Sequence, residues 1–201
     1  MIILGIDLSL TGTGLALSGS LSDKTGSFDM LRLMNWVYTS SGGHPLRAAT
    51  IQTKDLRGYW RWVRIVDVVE EWAQFADLVV IEGYSFGSRL SHAHSLGEIG
   101  GIVRYRLGQM EKRYIDVPPT QLKKFATGKA SADKNIVLLE VYKRYGVSLA
   151  DDNQADALVL AMIGRALWGT SDDLPQFQKE VLAVIQAGPA PKKKKKGAVA
   201  P

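Results

Sequence analysis

The sequence has no cysteine among its 201 residues. That absence excludes disulfides and thiolate metal sites, and it favours a reducing compartment. No apolar run approaches the roughly 20 residues of a membrane span. The N-terminus has no basic segment leading into a signal-like apolar stretch. These absences lead us to expect a soluble, cytoplasmic protein with no membrane partner. An excess of one charge sign is also missing, despite a formal net charge of +5. Five of the 25 basic residues form the lysine run 192–196, and the remaining 20 balance the 20 acidic residues. The run lies in "AGPAPKKKKKGAVAP", a low-complexity stretch expected to be disordered over 189–201. It reads either as a solubilising tail or as a non-specific arm for nucleic-acid phosphates.

What is present is 46% hydrophobic residues, enough for a sizeable core in a chain of this length. Residues 2–8, "IILGIDL", read as a buried strand. "TGTGLALSG" reads as a turn and a second strand, with Gly12 and Gly14 supplying backbone freedom. "DMLRLMNWVYTS" reads as a third strand alternating at Leu31, Leu33 and Trp36, which suits an antiparallel meander. A helix is expected over about 56–75, where Trp60, Val63, Val66 and Val69 recur near helical spacing. "ADLVVIEG" is a short apolar strand of the kind found inside a covered sheet. A helix over about 92–111 follows, then a fifth strand, "RYIDV", stopped by Pro118 and Pro119.

"PTQLKKFA" starts a short helix with Thr120 as its expected cap. "KNIVLLEVYKRYG" is a helix ended by Gly146, and "DDNQADALVLAMIGRALWG" is the last strong helix. Strands first, then alternating helices and strands, predict an α/β fold: a five-stranded mixed sheet with helices on both faces. The expected organisation is one domain over 1–170, a C-terminal helix within 171–188 and the tail over 189–201.

Two acids stand where apolar strands end. Asp7 follows a run of apolar residues and glycine, and Glu82 follows Leu78, Val79, Val80 and Ile81. An ionised carboxylate leaving a core wants a cation or donors. Strand ends are also where α/β proteins place their ligands. A loop cap or ion pair would account for either acid alone, and the two together favour a site. Asp156 lies among Ala155, Ala157, Leu158 and Leu160, an apolar setting for a charge. Asp152 and Asn153 precede it by four and three residues and share its helix face. Helix-dipole stabilisation explains Asp151 and Asp152 well, and Asp156, a turn further in, poorly. Such oxygen ligands suit Mg²⁺ or Mn²⁺. Two ions about 4 Å apart support phosphodiester hydrolysis.

"GIDLSLTGTGLA", "VVIEGYSFGSR" with "SLGEIGGIVR", "PTQLKKFATGKASADK" and "DDNQADALVLA" together resemble the RuvC Holliday-junction resolvases, in their phage-type branch. The match runs in order over about residues 1–168. The resemblance implies an RNase H-like (RuvC-type) fold, a homodimer, and two-metal nicking of branched DNA in a bacterial or phage-infected cell. The domain over 1–170 is then the nuclease domain. Asp7, Glu82 and Asp156 fall on the family's acidic ligands. The fourth ligand, an acid or histidine in many members, falls on Asn153, whose amide oxygen brings no charge. Asp152, one residue earlier, is the charged candidate, and we assign it the place.

Lys123 and Lys134 match two basic positions that the family sets against DNA, and Lys124 and Lys129 lie in the same segment. A basic solvated face is the alternative for all four. The family's aromatic wedge falls on Ser85, between Tyr84 and Phe86, either of which could stack at a junction. Arg89 joins the expected DNA-facing set. The small residues of "GEIGGIVR" suit close helix packing, and in this resemblance that helix is the dimer interface.

The expected activity is therefore a Mg²⁺-dependent endodeoxyribonuclease, with Mn²⁺ as a substitute and two ions per site, acting on Holliday junctions, forks and flaps. An RNase H-like nuclease acting on RNA or on non-junction DNA is the alternative. A sugar-kinase or actin-like ATPase has a first loop resembling "GIDLSLTGTGLA", but needs a second such domain. A non-catalytic DNA-binding module draws support from Asn153 and is opposed by the intact acids.

Overall fold

The computed structural model describes residues 1–19, 38–39, 45–84, 90–169 and 173–188. The strand β1 (Ile2–Asp7) is buried along its whole length, as its run of isoleucine and leucine dictates. It pairs antiparallel with β2 (Gly12–Gly19) and parallel with β5 (Leu78–Glu82). β4 (Pro45–Gln52) continues the antiparallel side, and the two-residue β3 (Tyr38–Thr39) adds to its edge. β6 (Tyr114–Val117) pairs parallel with β5. The order is β3-β4-β2-β1-β5-β6, so five main strands form the mixed sheet and β3 is a short addition.

The meander's third member is β4, not the stretch "DMLRLMNWVYTS". Of that stretch only Tyr38 and Thr39 fall within the described residues, so Leu31, Leu33 and Trp36 lie outside them. Gly12 and Gly14 lie inside β2 rather than in a turn, and neither has a positive φ.

Side chains alternate across the sheet, which divides the core in two. Ile2, Leu4, Ile6, Val79 and Ile81 pack under α1 (Tyr59–Ala73) and α2 (Leu90–Gln109). Ile3, Leu78 and Val80 pack on the other face under α3 (Pro119–Thr127), α4 (Lys134–Tyr145), α5 (Asp152–Leu167) and α6 (Gln176–Ala187). The expectation of helices on both faces holds. Trp72 of α1 is buried, whereas Trp60 is exposed. Thr120 does not cap α3: Pro118 takes the cap position and Pro119 the first turn, where a missing N–H costs nothing. Gly146 ends α4 in the left-handed conformation, with φ 68°.

The helix α5 lies directly on strand backbone. A Cβ at Gly5 would stand 1.9 Å from the Ala157 carbonyl oxygen, and one at Gly14 would stand 2.0 Å from that of Asn153. Only hydrogen fits at either position. The start of α5 is fixed by Asp151, which accepts from Gln154 N–H at 2.9 Å and from the Thr50 hydroxyl at 2.7 Å. The helix α6 docks on α3 through the buried Gln178, whose amide donates to the Phe125 carbonyl at 2.8 Å, and through Lys124–Glu180 at 2.8 Å. Among the described residues, no helix is long and apolar enough to cross a membrane.

Candidate active site

Ile6 pairs with Ile81, which sets Asp7 and Glu82 at the same end of two adjacent parallel strands. Both carboxylates leave the sheet there, at its C-terminal edge. The bare backbone of Gly5 and Gly14 lets α5 descend until Asp156 meets the pair. Asp7 is 7% exposed and Asp156 8% exposed. The three acids line a cleft of about 260 Å³ together with Leu8, Ser9, Gly83, Tyr84, Leu96, Arg104, Pro119, Lys123, Lys134 and Asn153.

The electrostatics follow from that crowding. Burial pushes the Asp7 carboxyl well above the usual carboxylate range, and the Glu82 charge beside it adds to the rise. Burial also raises Glu82, against a hydrogen bond from Asp7 that favours its ionised form. The Asp156 carboxyl is pushed up to about 7 by burial and by the Asp7 charge. The lysines oppose these shifts without cancelling them. Lys134 lines the same cleft while paired with Asp152, an ion pair that raises its own affinity for the proton and holds Asp152 low.

The structure thus sorts the expected site residues. It brings Asp7, Glu82, Asp156, Asn153, Tyr84, Lys123 and Lys134 into one cleft. Asp152 is not among the lining residues, its carboxylate being turned to Lys134. Lys124 is paired with Glu180. Lys129 is exposed in the loop after α3, where its N–H donates to the Thr127 hydroxyl at 3.1 Å. Phe86 and Arg89 lie outside the described residues.

Sequence reasoning missed Arg104 of α2. It stands one turn after Gly100, on the same helix face, within the segment read for its small residues.

A divalent ion suits this donor set. The donors are all oxygen, which matches Mg²⁺ or Mn²⁺. Three enclosed carboxyls with raised proton affinity, two of them buried, are short of positive charge, and a cation would supply it. Among the described residues, no three acid or histidine side chains stand as a ready-made metal cage. The acids share a cleft without converging on one point.

No protein-family model matches the chain, and no curated protein matches it. Solved structures do. The Thermus thermophilus RuvC structure aligns with a TM-score of 0.60 and 23% identity, over 87% of this chain and 100% of that one. The structure described as T. thermophilus RuvC in complex with Holliday junction substrate aligns with a TM-score of 0.63 and 22% identity, over 87% of this chain and 99% of that one. The chain has the RuvC-type, RNase H-like fold.

Proposed function

We propose that this protein is a RuvC-like, metal-dependent endonuclease that cuts Holliday junctions and other branched DNA. One observation carries the reading: carboxylates from β1, β5 and α5 share one cleft with two lysines, Asp7 and Asp156 buried and Glu82 partly so. Such a set is tolerated by binding protons or by a partner of opposite charge, and near neutral pH a cation competes well with the proton. The shared fold with a RuvC described in complex with a Holliday junction supports the substrate class.

Asp7, Glu82 and Asp156 are the residues that would hold divalent metal, and Asn153 offers a fourth oxygen from inside the cleft. Two bound Mg²⁺ ions would supply Lewis acidity toward the phosphoryl oxygens and acidify a water. The chain's own residues do the rest. Lys123 and Lys134 line the cleft and draw in the phosphodiester. The apolar walls at Leu8 and Leu96 limit bulk water around it. Rigid strands hold Asp7 and Glu82 so that little reorganisation accompanies the reaction. Asp152, one step outside the cleft, orients Lys134 by its ion pair. On this reading the fourth ligand is Asn153, which lines the cleft, in place of the Asp152 expected from sequence, and Asp152 has a supporting role.

A second copy of the chain completes the reading, because a four-way junction has two strands to cut. The surface between α1 and α2 suits such a partner. It carries a groove of about 300 Å³ in which Tyr59, Trp62, Val63, Val66 and Ile102 are joined by the charged Asp67, Glu70 and Arg106. Tyr105, two-thirds exposed, stands on the same helix as Ile102.

The test is cleavage of end-labelled four-way junction with Mg²⁺ and with EDTA, repeated on forks, flaps, linear duplex and RNA–DNA hybrid. Junction cleavage that needs Mg²⁺ and exceeds duplex cleavage is the expected result. Preference for the hybrid would move the substrate to RNA, and no cleavage of any nucleic acid would reject the reading.

A further inference from the structure

Arg104 ties three elements of the cleft together. Its side chain is 13% exposed, unusually enclosed for a guanidinium at a cleft wall. Nε donates to Asp116 of β6 at 3.1 Å. Nη1 donates to the Gly100 carbonyl at 3.0 Å and to the Tyr84 hydroxyl at 3.2 Å. The guanidinium carbon also lies 4.8 Å from the centre of the Tyr84 ring, in cation–π range. Gly100 makes room for the whole arrangement. A Cβ there would stand 2.3 Å from the Tyr84 hydroxyl oxygen and 2.9 Å from Arg104 Nη1.

Tyr84 is therefore held at its hydroxyl and at its ring. A ring tied in this way does not swing out to insert between bases. Yet it remains 43% exposed, and it lines the cleft two residues beyond Glu82. An aromatic surface that is already immobile loses little entropy when a base stacks on it. Stacking of that kind accepts any base, which suits recognition of structure rather than sequence.

We propose that Arg104 is a positioning residue that holds Tyr84 as a fixed stacking platform for the nucleotide beside the phosphate to be cut. The proposal rests on the nuclease reading above. Arg104 acts through Tyr84, and its own donors stay with Asp116, Gly100 and the tyrosine hydroxyl.

The test uses the full chain and a four-way DNA junction with 2-aminopurine placed next to the mapped cleavage site. Fluorescence is read on an Asp7→Asn background, and single-turnover cleavage is read with Asp7 intact. Aminopurine should be quenched on binding, and the quench should survive Tyr84→Phe and be lost in Tyr84→Leu and in Arg104→Ala. Cleavage should slow roughly tenfold to a hundredfold in both of the latter, as for the loss of one stacked base. The double variant Tyr84→Leu/Arg104→Ala should be no slower than Tyr84→Leu alone. Arg104→Lys, which keeps the stem and charge but loses the planar fork, gives the same comparison if Arg104→Ala does not fold.

A loss from Arg104→Ala that is equally large without the Tyr84 ring would overturn the positioning role, because Arg104 would then act on the substrate itself. Wild-type protein that cuts the junction with aminopurine unquenched would overturn the platform and leave the nuclease reading standing. Wild-type protein that cuts no nucleic acid would reject the nuclease reading instead.

Discussion

Asn in place of Asp7 would keep the side chain's shape and remove its charge. Cleavage should then fall at least about a hundredfold, as when a charge contact to the reacting centre is lost. Junction binding by gel shift should change little, because phosphate contacts carry affinity. Activity within about tenfold of wild type in Mg²⁺ would remove Asp7 from the metal-holding set. The same acids govern stability in the opposite sense. The Asp156 carboxyl lies near 7 in the folded chain and near 3.8 when unfolded, so the folded state binds the extra proton between those values. That stability is fully present below the lower value and is lost as pH rises through the upper one. In EDTA, the melting temperature should therefore fall from pH 5 toward pH 8, and Asp156→Asn should flatten the fall while abolishing cleavage. A steeper fall in the variant would contradict the burial argument. Asp152 and Asn153 are separated by the same logic. Asn153→Ala should cost more cleavage than Asp152→Ala, since Asn153 lines the cleft and Asp152 faces Lys134. The reverse ranking would restore Asp152 as the ligand.

At the scale of elements, the seat of α5 on β1 and β2 decides where Asn153 and Asp156 stand. Gly14→Ala would drive a methyl into the Asn153 carbonyl, and the helix must lift. We expect a loss of roughly 1–3 kcal/mol in urea unfolding, as for overpacking, with a fall in cleavage alongside it. A stable, fully active Gly14→Ala protein would show that α5 has slack. The sequence carries half of this seat: Ala155 and Ala157 flank Asp156 and are small enough for a close approach, but nothing in it names Gly5 and Gly14 as the other half. β1 and β5 were readable because they are wholly apolar up to their terminal acids. β4 was not. Its buried residues, Leu46 and Ile51, are five apart and serve opposite faces, so no alternation marks either one. Its Arg47 is accommodated over the Trp72 ring at 4.7 Å, a partner 25 residues away in sequence. Arg104 was missed for the same reason, because Tyr84 and Asp116 come from separate elements.

For the whole molecule, the groove between α1 and α2, where apolar side chains stand beside Asp67, Glu70 and Arg106, leads us to expect self-association. Ile102→Glu should convert a dimer to a monomer in sedimentation, with junction binding weakened and the melting temperature of each protomer little changed. An unaltered sedimentation coefficient would move the interface elsewhere. Residues 189–201 lie outside the described residues, and their lysines carry a prediction from sequence alone. Removing them should weaken binding to every DNA form about equally and flatten its salt dependence, because phosphate contacts release counterions without reading shape. An unchanged salt slope would mark the tail as solubilising. Long-range pairing also has a consequence in time. Ile2 N–H donates to Asp77 across 75 residues of chain, and Thr50 reaches Asp151 across 101. Contacts so distant form slowly and require most of the chain to be present. During synthesis from the N-terminus, Asp7 and Glu82 emerge well before the helix that encloses them. A ribosome-bound or prematurely ended chain that stops short of α5 therefore lacks Asn153 and Asp156, and with them the enclosed cleft. It is expected to be harmless to the DNA of the cell that makes it.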